Sequence, residues 1–215
     1  MRARKRKRED RSVPRVAGIV LAAGLSTRLG RPKQLIELCG KPALQHVIDT
    51  IRRTRLSPVI LVLNRAVTEY LETLDTRGCT IVVNEHPERG QSASLRAGLA
   101  AVPSDTDAVV FVLGDQPFVE PATIEGLIDL FISTSALVVR PRYADGPGNP
   151  VLVHRRLFTE LAELEGDVGA RPVLAKYAAA TVELDARDRP MPLDLDTPED
   201  VERARRRCVD EQSMR

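Results

Sequence analysis

Short apolar runs rich in β-branched residues, alternating with helix-like stretches, limit what this chain can fold into. The runs read Val-Ala-Gly-Ile-Val-Leu-Ala over 16–22, Pro-Val-Ile-Leu-Val-Leu-Asn over 58–64, Cys-Thr-Ile-Val-Val-Asn over 79–84 and Ala-Val-Val-Phe-Val-Leu-Gly-Asp over 108–115. Strands apolar on both faces belong inside a parallel sheet covered by helices. After Pro42, Leu44, Val47, Ile48 and Ile51 recur at helical spacing. Arg52, Arg53 and Arg55 follow, where cations suit the helix dipole. Further helices are expected over 67–74, 92–102, 155–164 and 172–178, and from Pro121 and Pro198. Strands are expected over 136–139, 150–153 and 180–185, with 140–150 as a loop. The expectation is one α/β domain over residues 16–208: a doubly wound, Rossmann-like, mostly parallel sheet with helices on both faces. Residues 1–15 read as a basic, disordered tail and 209–215 as a short C-terminal one.

Composition removes several function classes. The longest apolar runs hold about half a dozen residues, against the roughly 20 that a membrane helix needs. Seven aromatics and no Trp make a base-stacking surface for single-stranded nucleic acid a poor fit. Net charge is +2, but residues 1–11 hold seven basic and two acidic side chains, so the rest of the chain is slightly acidic. The body is therefore no polybasic nucleic-acid binder, although the tail could adhere to anionic surfaces. Cys39, Cys79 and Cys208 are too far apart for a metal knuckle, and such an odd, sparse set fits a reducing cytosol.

The first run leads into Leu21-Ala22-Ala23-Gly24-Leu25-Ser26-Thr27-Arg28-Leu29-Gly30-Arg31-Pro32-Lys33-Gln34-Leu35. Ligands of open α/β sheets bind at the carboxyl ends of strands, where this loop starts. Ala22, Ala23 and Gly24 are small enough for backbone N–H groups to approach a bulky anion. Arg28 offers a planar fork to phosphate oxygens and Lys33 a compact charge. The pattern is neither a Walker loop nor the dinucleotide Gly-x-Gly-x-x-Gly. Two readings stay open on spacing alone: a phosphate-binding loop, or a glycine-rich turn with solvated cations. Arg31 fits the second.

Taken in order, Leu21 to Lys33, Asn84 with Gly90 to Leu99, Gly114-Asp115-Gln116-Pro117, Gly148 to Leu152, Gly166 to Arg171 and Leu193 to Asp200 resemble the motif series of the MobA-like nucleotidyltransferases. Ala22-Ala23-Gly24 is most similar to the molybdenum cofactor cytidylyltransferase (MocA-like) branch; the guanylyl-transferring branch typically has Ala-Gly-Gly. The resemblance implies a cytoplasmic, Mg²⁺-dependent enzyme that transfers CMP from CTP to the phosphate of a molybdopterin-type cofactor and releases pyrophosphate. It implies a molybdenum hydroxylase as possible partner, and neither membrane nor nucleic acid. Two departures leave the acceptor open: the family more often has His where Asn149 stands and Met where Gly114 stands. The alternatives are transfer of GMP, another phosphorylated acceptor, or, from a different class, a non-catalytic carrier of the finished cofactor. Arg28, Lys33 and Asp115 argue against the carrier, which needs no triphosphate clamp.

The chemistry so implied is attack by a phosphate monoester on an α-phosphorus. The nucleophile needs little general-base help, because its second pKa is about 6. The difficulty is bringing an anion to a polyanion, which calls for cations and positioning. Arg28, Lys33 and Asp115 are the candidate catalytic residues. By resemblance Asp115 holds Mg²⁺; the competing reading is a strand-end cap. Asp194 and Asp196, two apart in an extended segment, share a face that suits a hard cation, with Leu195 on the other. The competing reading is the approach to a helix with Thr197 as N-cap and Pro198 first, and Asp200 is left to that cap. Leu21, Ala22, Ala23, Gly24, Gly90, Gln91 and Ser94 complete the implied nucleotide contacts; in the competing reading Ser92 caps a helix there. Asn149, Asp167 and Arg171 are implied on the acceptor side. Arg171 precedes Pro172 and is expected to be extended, reaching a phosphate or facing solvent. His46, His86 and His154 form no catalytic grouping.

Overall fold

The computed structural model describes residues 13–213, so residues 1–12 of the expected basic tail lie outside the described residues. Arg15 is anchored: its N–H donates to Asp107 at 2.8 Å and its guanidinium to Asp105 at 2.9 and 3.0 Å. Four strands, β1 (Val16–Ala22), β4 (Val59–Leu63), β5 (Cys79–Val83) and β6 (Ala108–Leu113), pair in parallel in the order β6-β1-β4-β5. A two-strand hairpin, β2 (Glu37–Leu38) and β3 (Lys41–Pro42), lies off this sheet. Beyond β6 the sheet continues through β9 (Val151–His154), β7 (Val138–Tyr143) and β10 (Thr181–Asp185), and β8 (Gly146–Pro147) pairs with β7. Only β8 and β9 run antiparallel to their neighbours in the eight-stranded sheet.

Side-chain alternation along β1 builds a core on each face. Val16, Val20 and Ala22 pack with Leu44, Val47, Ile48 and Ile51 of α1 (Ala43–Ile51). Ile124, Leu127 and Phe131 of α4 (Pro121–Thr134) join that layer. Ala17 and Ile19 face Leu95 and Leu99 of α3 (Gln91–Ala100), with Leu161 of α5 (Phe158–Ala162) and Val173 of α6 (Arg171–Lys176). Each such Leu, Ile or Val contributes about 1.5–3 kcal/mol on burial. That two-sided burial is why the strands are apolar throughout rather than alternating. The doubly wound α/β expectation holds. Among the described residues, no helix is long and apolar enough to cross a membrane.

Five local expectations are corrected. Residues 140–150 are not one loop: β7 continues through Tyr143 and β8 turns back along it. Pro141 is tolerated because β9 pairs only Val138 and Val139 while β8 pairs only Arg142 and Tyr143, leaving a gap for its missing N–H. The helix expected over 67–74 starts earlier, as α2 (Arg65–Thr68), because the Asn64 side chain accepts from Val67 N at 2.9 Å; a 3-10 turn follows over Leu71–Thr73. Arg52 and Arg55 serve tertiary ion pairs rather than their own helix end, with Asp75 and with Glu125 and Asp129. Arg171 is helical, the first residue of α6; Pro172 falls where the first turn's N–H has no intrahelical partner to lose.

The fifth concerns the cysteines. Cys39 and Cys208 form a disulfide with Cα atoms 5.3 Å apart, and Cys79 alone is free. The reading of a sparse set suited to a reducing cytosol missed this pair because 169 residues separate its members. The bond ties the turn between β2 and β3 to the final helix, α7 (Pro198–Ser213). It borders a small third core in which Ile36 and Leu38 meet Leu195, Val201 and Ala204.

Candidate active site

At the carboxyl edge of β1 and β6 lies a cleft of about 570 Å³. Leu21, Ala23, Gly24, Arg28, Lys33, Gly90, Gln91, Ser94, Asp115, Asp167, Arg171 and Asp196 all line it. Ala22, the last residue of β1, is buried and does not line the cleft. A cavity of about 640 Å³ beside the disulfide, bordered by Phe118 and Arg207, contains none of these residues. The candidate chemistry therefore belongs to the first cleft.

Lys33 Nζ is ion-paired with Asp115 and, at 2.6 Å, with Asp196. Burial works against the lysine charge, but Asp115 and then Asp196 outweigh it and hold the pKa above the usual lysine range. The ammonium therefore stays charged at neutral pH. Asp194 is turned to the Gln116 amide, which donates to it at 2.9 Å. Its carboxyl is pushed up by the protein packed around it and by the Asp115 charge, with Gln116 opposing. The expected alternation is present: Leu195 is fully buried, and its N–H donates to the Asp115 carbonyl at 3.1 Å. The segment is thus pinned to the end of β6, with its two carboxylates beside Asp115.

Asp200 belongs to the cap, as expected. Its carboxylate accepts from Thr197 N at 2.9 Å and from Asp196 N at 3.2 Å, while Thr197 Oγ1 accepts from Asp200 N at 3.2 Å. This is a capping box, and it orders the backbone that carries Asp196. Burial tends to raise the Asp200 pKa, but hydrogen bonds from Arg203 and Thr197 outweigh it and hold it below the usual carboxylate range. Asp200→Asn should cost about 1 kcal/mol at neutral pH. A depressed folded pKa contributes stability that is complete above the unfolded value of about 3.9 and lost as pH falls through the folded value. The Tm difference between the two proteins should therefore close below about pH 4. A gap that stays constant from pH 7 to pH 3 would refute the charged role.

The start of α3 differs from the competing reading. Its N-cap is Gly90, and Ser92 lies inside the helix with its Oγ buried and unpartnered. The cap comes from another loop: Gln91 N donates to Asp167 Oδ1 at 3.1 Å and Ser92 N to the Gly166 carbonyl at 3.2 Å. Gly90, at φ 84°, is required here, since a Cβ would lie 2.6 Å from the backbone of Gly166 and Asp167. Asp167 is therefore engaged in helix capping at the cleft. Ser94 Oγ accepts from Asn84 at 3.0 Å, which leaves its proton to donate.

Arg28 is exposed along the cleft, and Arg171 lines its far side. Asn149 is not among the lining residues. Its carbonyl accepts from the Tyr143 hydroxyl at 2.8 Å, and burial pushes that phenol up to about 12, so it remains a neutral donor. Pairing of Phe111 with Val151 brings the residues just before β9 to the carboxyl end of β6. Gly114 is enforced by packing, since a Cβ would lie 2.6 Å from that of Ala22.

Sequence reasoning passed over Gln34, Asn64 and Gln116. All three are buried amides that hold site backbone or carboxylate groups. One signal was available: Asn64 ends its apolar run as Asp115 ends its own, at the same edge of the sheet.

The chain is similar to known proteins over most of its length. The chain is 32% identical over 202 residues to a probable molybdenum cofactor guanylyltransferase of Natronomonas pharaonis, covering 88% of this chain and 96% of that protein. It is 33% identical over 128 residues to the bifunctional protein GlmU of Desulfitobacterium hafniense, but spans only 27% of that protein's length. Among solved structures, Rv0371c of Mycobacterium tuberculosis superposes with a TM-score of 0.83 at 37% identity, covering 91% of this chain and 100% of that one. Another Rv0371c structure, described as a complex with manganese, gives 0.79 at 33% identity over the same share of each chain. Residues 18–182 match the MobA-like NTP transferase domain. Since that match runs from within β1 to the first residues of β10 and takes in the loop, Lys33 and Asp115, the chain belongs to the MobA-like NTP transferase family.

Proposed function

We propose that the protein transfers CMP from CTP to the phosphate of a molybdopterin-type acceptor and releases pyrophosphate, with Mg²⁺ as the divalent ion. The observation that carries nucleotidyl transfer is Lys33, held charged between Asp115 and Asp196 beside a loop of small residues. An oxygen of the acceptor phosphate forms the new bond to the α-phosphorus as the bond from that phosphorus to the pyrophosphate oxygen breaks. The acceptor is already ionised, so no side chain need act as base. Lys33 and Arg28 draw the triphosphate oxygens and offset the charge that moves to pyrophosphate. Ser94, Gly90 and Gln91 line the nucleotide side. Arg171 and the Asn149 turn lie toward the acceptor, and Asp167 serves that side by fixing the start of α3.

The residues fit a divalent cation that arrives with its substrate. Asp115 and Asp196 meet on the Lys33 ammonium, which puts two carboxylates within reach of one cation, and Mg²⁺ is commonly held by one or two carboxylates completed by phosphate oxygens and water. Among the described residues no cluster of three or more His, Cys, Asp or Glu could hold a metal ion, so an ion here would need further ligands from substrate and water. Asp115 and Asp196 would hold the ion, with Asp194 behind them, and when bound it would neutralise triphosphate charge. The manganese complex named for the Rv0371c structure supports a divalent ion of this kind.

The Ala22-Ala23-Gly24 loop supports CTP. GTP is the second reading, favoured by the Natronomonas relative, named a guanylyltransferase and matched over nearly its whole length. Thermal shifts with CTP, GTP, ATP and UTP, each with and without Mg²⁺, separate the two. A ligand at a hundredfold excess over its Kd adds about 2.7 kcal/mol. Selective, Mg²⁺-dependent stabilisation by CTP is expected. A shift with GTP alone overturns the base assignment, and no pyrophosphate release with any nucleotide and acceptor overturns the activity.

A further inference from the structure

Two buried amides grip the backbone of the loop after β1 from behind. Gln34 Nε2 donates to the carbonyls of Ala22 at 2.8 Å and Gly24 at 3.3 Å. Asn64 Nδ2 donates to the carbonyls of Ala23 and Gly24, both at 3.1 Å. Three consecutive carbonyls are thereby occupied, the last of them twice. Gln34 is 1% and Asn64 4% exposed. The partners are all carbonyl oxygens, so each amide must present its nitrogen to the loop.

In a trans peptide the C=O of one residue and the N–H of the next point in opposite directions. Turning the carbonyls of Ala23 and Gly24 inward turns the N–H groups of Gly24 and Leu25 the other way. Those two N–H groups donate to no protein acceptor among the described residues, and both residues line the cleft. An inward-held carbonyl also cannot repel an anion there. Gln34 keeps this arrangement at a cost, because its own Oε1 is buried without a partner. Folding alone disfavours such an orphan, and a residue needed only for packing would be apolar.

We infer that Gln34 and Asn64 are positioning residues: they lock the loop with its carbonyls sequestered and its N–H groups facing the cleft, as a preformed receptor for the polyphosphate of the nucleotide. This rests on the nucleotidyl-transfer reading for its substrate but is testable without turnover. The probe is inorganic tripolyphosphate, with binding measured by calorimetry on the full chain. Gln34→Met keeps the length, loses both donors and removes the orphan acceptor. Its Kd should rise at least tenfold while its Tm without ligand stays within a few degrees of the parent. Asn64→Asp keeps the acceptor that caps α2 but sets oxygen against two carbonyls, and should weaken binding further. In turnover, the nucleotide KM should rise by a similar factor with kcat changed less than threefold. A purely structural role would lower Tm and leave the Kd of the folded protein alone.

Kd values within twofold of the parent in both variants overturn the inference. If neither variant folds, the parent still decides: tripolyphosphate should shift the backbone amide resonances of Gly24 and Leu25, and unmoved resonances overturn it. Tripolyphosphate binding of this pattern without pyrophosphate release from any nucleotide rejects the transferase reading and leaves the receptor standing. Turnover with unchanged Kd in the variants rejects only the receptor.

Discussion

Replacing Asp115 with asparagine is expected to lower pyrophosphate release by about 100- to 1,000-fold at saturating nucleotide, the range seen when one preorganised electrostatic group is lost. The side chain keeps its shape, and Leu195 N–H still finds the Asp115 carbonyl, so the Asp194–Asp196 segment stays docked. Lys33 retains its contact with Asp196 and remains charged. What disappears is one of the two carboxylates that meet on Lys33 and that on the proposed reading would hold the divalent ion. The loss should therefore fall on kcat and be eased in part by raising the divalent-ion concentration. An Asp115→Asn protein releasing pyrophosphate at the parent rate would refute both the metal-holding and the catalytic assignment.

The second large effect is on stability. A double replacement of Cys39 and Cys208 by serine should lower Tm by about 10 °C. Chain-entropy arguments give about 5 kcal/mol for a closed loop of this length, and measured bonds more often deliver about 2–4. At about 2–4 °C per kcal/mol for a domain of this size, either figure is readily measured. Cys39 is exposed, so a dithiol reductant should reproduce the shift in the unsubstituted protein. The loss should also reach the site, because the core beside the bond packs Ile36 and Leu38, just beyond Lys33, against Leu195. Unchanged Tm in the double variant would remove any stabilising role for the bond.

The parallel half of the sheet was legible because its strands are buried on both faces, which leaves an unbroken apolar signature. Run 16–22 coincides with β1, and 58–64 and 79–84 overshoot β4 and β5 by a residue or two. The weaker elements were missed where the signal is tertiary. Hairpin β2–β3 has two residues a side, too few for any period. Strand β7 carries Arg140, Pro141 and Arg142, which read as loop until the pairing with Thr181–Asp185 is known. The same division runs through the site. Lys33, Asp115 and Asp196 stood out through the family resemblance and, for Asp196, the two-residue step from Asp194, and the structure brings them together. Gln34 and Asn64 did not, because a buried amide is defined by the carbonyl it holds. Nor did Asp167's part in capping α3, because the cap crosses 76 residues of chain.

Strand β9 lies reversed between β6 and β7, which sets its start at the same edge of the sheet as the end of β6. A parallel strand in that place would begin at the far edge and send its connection away from the ligands. Running backwards, β9 begins at the carboxyl edge of β6, the edge where Asp115 and the loop after β1 lie. The segment between β7 and β9 is short, residues 144–150, and carries β8 and Asn149. On the proposed reading this stretch faces the acceptor, and substitutions in it should alter acceptor choice while leaving nucleotide binding at the loop after β1 unchanged.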